Sequence, residues 1–211
     1  MIIKSSKYLL FFSLLFLIIQ QLHAQRFGGN PGLRWQKSSG KAVELIYPKG
    51  FESMAGRVSS ISDSLAKQYV FSLGPVVRKV PIVLQTLPFI SNAYVGLGPW
   101  RSEFYLYPPQ NALELGSTSW LDNLTFHEYR HIHQYANFRK GVANFAYWIA
   151  GQQGQTLANA ASIPDWFFEG DAIFHETLHL GQGRGRLPGF YDPYRFVPCI
   201  LRHNVKLSHP Y

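Results

Sequence analysis

The sequence predicts an α+β protein: a small mixed β-sheet lobe with one helix, followed by a helical lobe. Three observations lead there. Period-two alternation of apolar residues occurs only before Gly116. Helical spacing occupies one segment in that half and nearly everything from Gly116 to Gly181. The 211 residues are 46% hydrophobic and 16% aromatic but only 15% charged, enough for one buried core and unlike a disordered chain or coiled coil.

Taken in order, Lys4 and Lys7 precede an apolar run from Tyr8 to Ile19, broken only by Ser13, then Gln20-Gln21 and Leu22-His23-Ala24. This is a secretory signal pattern, with cleavage expected after Ala24 and an apolar core too short for the ~20 residues of a membrane span. Residues 1–24 are therefore a signal peptide and residues 25–211 a single domain, secreted or periplasmic. Its formal charge is +6, because the segment removes two of the lysines behind the +8 of the whole chain. The residue directly after the cleavage point is Gln25, not a cysteine, and the single Cys199 permits no disulfide framework, which suits a bacterial exported protein.

Residues 26–40 are Gly- and Ser-rich and read as a leader or loop. Ala42 to Tyr47 alternates with Val43, Leu45 and Tyr47 on one face, a strand closed by Pro48 and Gly50. Met54, Val58, Ile61, Leu65 and Tyr69 keep helical spacing, so Ser53–Val70 is an amphipathic helix. Val80–Thr86, Ala93–Leu97 and Ser102–Tyr107 read as strands, the last stopped by Pro108-Pro109. This α+β lobe spans residues 25–116.

From 117 to 180 the pattern is helical. Ser119 and Asp122 have capping-box spacing and open a helix to about Arg139, ended by Lys140-Gly141. Ala143–Ala150 and Gln155–Ala161 are shorter helices separated by Gly151 and Gly154, and Pro164 starts another through about His179. Residues 181–211 read as an irregular, ordered tail. Leu207–Tyr211 is not an obvious natural end, so the chain is expected to be a possible fragment.

His127-Glu128-Tyr129-Arg130-His131 carries the chemistry. Histidines four apart on a helix share a face and can reach one metal ion, and the intervening Glu128 can reach a water bound to it. Leu124, Ile132 and Tyr135 give that helix a buried side. Two histidines are too few, since catalytic zinc takes three protein ligands and a water. His133 points off the ligand face. The segment Pro164-Asp-Trp-Phe-Phe-Glu-Gly-Asp-Ala172 supplies Glu169, 38 residues after His131, with small Gly170 and Ala172 beside it to permit close approach. Six of the 12 acids fall within residues 122–176.

H-E-x-x-H followed by W-x-x-E-G-x-A on a later helix resembles the gluzincin metallopeptidases, the group of thermolysin and the membrane-alanyl-type aminopeptidases. The resemblance covers about residues 117–180. The chain also resembles secreted bacterial peptidase-like proteins that place HEYRH before IPDWFFEGDA. It implies a zincin fold, a Zn2+ cofactor held by His127, His131 and Glu169, Glu128 as general base, and a peptide or protein substrate. The gluzincin aminopeptidase element G-x-M-E-N has no counterpart, the comparable strand reading Ala93–Trp100, which favours an endopeptidase. Asp171 and Glu176 are the nearest acids to orient the imidazoles, although Asp171 equally suits the first turn of a helix. Gln134, seven residues after His127, shares its face. Tyr191, Tyr194, Arg184 and Arg186 are candidates to stabilise an oxyanion. Two alternatives stay open: a catalytically silent zincin-fold binding module, and a zinc hydrolase acting on a non-peptide or cell-wall amide substrate.

The remaining signals are bland. Gly181–Arg186 has no following Gly-Lys-Ser/Thr and reads as a loop near the cleft, not a phosphate site. Asn123-Leu-Thr125 fits a glycosylation triplet but lies within the motif helix. The aromatics of 94–107 could grip a peptide or sugar and more commonly pack a sheet. The basic excess has no nucleic-acid module attached to it, so no nucleic acid and no stable membrane span are expected after signal removal.

Overall fold

A computed structural model describes residues 31–87, 89–111 and 116–192. The expected signal peptide, Tyr194 and Cys199 lie outside these residues. Gly32–Tyr211 form one compact unit, and the architecture is α+β as expected.

Five strands, β1 (Trp35–Ser39), β2 (Val43–Pro48), β3 (Val80–Gln85), β4 (Ala93–Gly96) and β5 (Arg101–Tyr105), form one mixed sheet in the order β1-β2-β3-β5-β4. The central pairs β2–β3 and β3–β5 are parallel, with Leu45 opposite Ile82 and Leu84 opposite Phe104. Both edges are antiparallel, β1 on β2 and β4 on β5. Strand β1 corrects the reading of residues 26–40 as loop. As an edge strand it buries none of its five side chains fully, so its sequence lacks the alternation that marks a half-buried strand. What holds it is the register against β2, aided by an ion pair between Lys37 and Glu44.

Four helices follow the same order as predicted: α1 (Glu52–Tyr69), α2 (Trp120–Asn137), α3 (Gly141–Ser162) and α4 (Asp165–His179). Helix α1 buries Ala55, Val58 and Leu65 in the core with the sheet and Tyr69 against Tyr129 and His133 of α2, while Met54, assigned to that face from spacing, is 40% exposed. With Val43, Leu45, Ile82, Leu84, Phe104, Leu124, Tyr129 and Ile132 these side chains make one core. Truncating a residue such as Leu45 to Ala would cost about 2–5 kcal/mol. The capping box at Ser119 is not made: Ser119 is the N-cap residue without a side-chain cap, and Asp122 instead accepts two hydrogen bonds from Arg57 of α1, at 3.0 and 2.9 Å. The two short helices expected at 143–161 are the halves of α3, which breaks at Ala150-Gly151. Gly151 has φ +61°, and a Cβ on Gly154 would lie 2.1 Å from the Ala146 carbonyl oxygen, so both glycines are required by the break.

Helix α2 is unusual in what it buries. His127, Glu128, Arg130, His131, His133, Gln134 and Asn137 are all buried, because α1 covers one side of the helix and α4 the other. Buried polar groups cost stability unless they are bonded, and most of these are. Asn137 clamps both the N–H and the carbonyl of Val76, and His133 Nε2 meets the Gly74 carbonyl at 2.9 Å. Asn123 and Thr125 are also buried in α2, which closes the glycosylation triplet to modification.

Candidate metal centre and active site

One turn of α2 separates His127 from His131, and their rings meet edge to face with centroids 4.8 Å apart. The two Nε2 atoms point at each other across 3.2 Å. Helix α4 lies alongside α2 and brings Glu169 to the same point: its Oε2 is 3.3 Å from His127 Nε2 and its Oε1 3.4 Å from His131 Nε2. A tetrahedral ion with ligand bonds of about 2.0–2.1 Å separates its ligand atoms by about 3.3–3.4 Å. The two imidazole nitrogens stand at that spacing, each Glu169 oxygen faces one of them, and His127, His131 and Glu169 form a group, with one ligand atom from each lying within 4.8 Å of the others, that could hold a metal ion. Two neutral imidazoles and a carboxylate also suit a divalent ion of borderline softness. The Glu169 side chain is 57% exposed, so the group opens on solvent.

The surroundings fix the orientation of both histidines. His131 Nδ1 donates to Gln134 Oε1 at 2.9 Å, and Gln134 Nε2 donates onward to the Phe168 carbonyl and, at 2.7 Å, to Asp171 Oδ2. His127 Nδ1 lies 3.3 Å from Glu176 Oε2. Each ring therefore has an oxygen acceptor near Nδ1, the arrangement that would hold the Nδ1 proton and free the Nε2 lone pair when an ion is bound. Arg184 completes this side: its backbone N–H and Nε donate to Glu176 at 2.8 and 3.0 Å, and its Nη2 reaches to 2.5 Å from His127 Nδ1. A guanidinium only donates, so Arg184 and the Glu176 carboxylate compete for His127 Nδ1, the first needing its lone pair and the second its proton.

Electrostatics follow from the same contacts. Burial pushes the Glu128 carboxyl above the usual range, and the neighbouring histidines only partly oppose it. Hydrogen bonds to His127 and His131 hold the Glu169 carboxyl far below the usual range. Burial alone would raise Asp171 and Glu176, but Arg130 with Gln134 for the former, and His127 with Arg184 for the latter, keep both ionised.

The donors open into a cavity of about 920 Å³ walled by β4, α2, the second half of α3, the start of α4 and residues 184–190. Tyr94, Trp120, Tyr135, Phe168 and Phe190 give it an aromatic lining, and Glu128 lies in its floor beside the histidines. Strand β4 ends the sheet, so its outer edge borders this cavity unpaired by any strand among the described residues.

The residues singled out from sequence divide clearly. His127, Glu128, His131 and Glu169 converge, Glu176 and Gln134 hold the two imidazoles, and Asp171 acts one step further out through Gln134. Arg184 lines the cavity, as the reading of Gly181–Arg186 as a cleft loop anticipated. Tyr191 does not belong: it is 49% exposed in the short 3-10 turn Pro188–Tyr191 and its neighbour Phe190 faces the cavity instead. Arg186 is turned away onto the carbonyls of Leu180 and Gly181. Gly170 is exposed with open space around it, so Ala172, fully buried, is what allows α4 to approach.

Two contributors escaped the sequence reading. Tyr135, placed on the buried side of α2 with Leu124 and Ile132, lines the cavity. Its position eight residues after His127, on the same helical face, was the available signal. Arg130 sits inside the H-E-x-x-H segment, 1% exposed, and bonds Asp171 through Nε and Nη2 at 2.6 and 2.9 Å and Ser72 through Nη1 at 2.7 Å.

Compared with known proteins, the chain matches no family model, and no curated protein or solved structure matches it significantly.

Proposed function

We propose that the chain is a secreted zinc metallopeptidase of gluzincin type, with an endopeptidase action on peptide or protein substrates. The observation that carries this reading is the convergence of His127, His131 and Glu169 on one point beside buried Glu128, in an open aromatic cleft. Zinc is favoured over harder ions because two of the three donors are imidazoles and the third a carboxylate.

Bound there, zinc supplies a Lewis acid that brings the pKa of a coordinated water to near 7 and polarises a carbonyl. The residues do the rest. Glu128, whose carboxyl is raised by burial, takes a proton from the attacking water and returns it to the leaving amine nitrogen. Glu176 and Gln134 hold the Nδ1 protons of His127 and His131 so that both Nε2 lone pairs face the ion. Tyr135, kept protonated by burial, and Arg184 are the donors available in the lining to a developing oxyanion. Tyr94 is committed elsewhere, its hydroxyl donating to Glu103 and accepting from Arg101. An extended substrate adds to the outer edge of β4 through main-chain hydrogen bonds, and the missing G-x-M-E-N element favours internal cleavage.

Digestion of a peptide library, read by mass spectrometry, tests the reading. The zinc-loaded chain is expected to cut internal bonds, and Glu128→Gln to retain zinc while cutting about 10²–10⁴-fold more slowly. A zinc-loaded chain that cuts no peptide would overturn it.

A further inference from the structure

Helix α3 is amphipathic the wrong way round for a protein in water. It faces inward with Ala143, Gly154, Gln155 and Asn159 and outward with Val142, Phe145, Trp148, Ile149 and Leu157, which are 66–85% exposed. At 100° per residue, Val142, Phe145, Trp148 and Ile149 fall within an arc of about 120° opposite buried Ala143. A helix that presents its large apolar side chains to the outside has a non-aqueous neighbour.

Charge indicates which neighbour. No acidic residue occurs between Glu128 and Asp165, and α3 has no charged residue at all. Arg139 and exposed Lys140 stand immediately before the apolar face, Arg139 over the Tyr147 ring at 4.5 Å. Phe167, whose ring is 6.2 Å from that of Phe138, brings the first turn of α4 and exposed Trp166 beside this start of α3. Tryptophan and phenylalanine rimmed by cations are the chemistry of an interfacial helix on an anionic lipid surface. No helix among the described residues is long and apolar enough to cross a membrane, so the contact is peripheral.

We infer that the first half of α3, with Trp166, is a docking face for the surface of an anionic lipid bilayer, into which Phe145, Trp148 and Ile149 insert. The inference is independent of any catalytic role. Because α3 also walls the cavity through Thr156 and Asn159, docking would present the cleft to substrates at a membrane surface.

The test uses the chain without Met1–Ala24, since Gly32–Tyr211 form a compact unit, and flotation with vesicles of phosphatidylcholine alone or mixed with phosphatidylglycerol. Binding is expected to the anionic vesicles only, with a blue shift of tryptophan fluorescence. The double variant Phe145→Ser/Trp148→Ser, and separately Lys140→Glu, should each weaken it by about tenfold or more. Thermal melts by circular dichroism show that the variants are folded. Wild type that ignores anionic vesicles, or variants that bind as wild type does, would overturn the inference. So would a dimer in solution that the double variant dissolves, which would make the face a contact with a second copy.

Discussion

Glu176 is wholly buried, yet it carries a charge because His127 Nδ1 and the backbone N–H, Nε and Nη2 of Arg184 converge on it. Removing that charge should loosen the His127 ring and its tautomer without touching a ligand atom. Glu176→Gln is expected to weaken metal binding about 10–100-fold by competition with a chelator, and Gln134→Leu to do the same through His131. Tyr135→Phe keeps the ring against Phe168 and removes only the hydroxyl. If that hydroxyl stabilises an oxyanion, kcat should fall about 10²-fold or more with KM little changed.

Among the elements, α2 and α4 depend on one another through Arg130 and Asp171. A guanidinium this buried needs its counter-charge, so Asp171→Asn is expected to cost about 3–5 kcal/mol in denaturant unfolding. His175, on α4 between Tyr69, Asp171 and His179 and near the Arg130 cation, adds a pH dependence. Burial, then the Arg130 charge, pushes its pKa down to about 4 from an ordinary value near 6.5. A folded pKa below the unfolded one means that the unfolded chain takes up a proton first. Stability is therefore unaffected by this group above pH 6.5 and falls as pH drops from 6.5 towards 4. Melting His175→Gln across that window should give a shallower loss, by about one proton's worth of slope.

For the molecule as a whole, the sequence showed what local rules determine. The helix spacing of His127 and His131 is a local fact, and the distance from His131 to Glu169 leaves room for one returning helix. Strand β1 was hidden because an edge strand need not alternate, and its pairing with β2 is set by the fold. Arg130 was hidden because its partner lies 41 residues away on another helix. Tyr191 was chosen from the composition of the tail, whereas the cavity takes its tyrosines from β4 and α2. The outward placement of Phe145 and Trp148 was hidden because helical spacing alone does not say which face of α3 meets the core.

A metal tying α2 to α4 should also stabilise the fold, because the unfolded chain has no such site. The proposed zinc site is built by these two helices together. Elemental analysis of zinc per chain after gentle purification tests it most directly, with wild type, Glu128→Gln, His131→Ala and Glu169→Ala compared. About one zinc per chain is expected for the first two and a large loss for the last two. Wild type with almost none, or zinc that persists undiminished in both His131→Ala and Glu169→Ala, would contradict it.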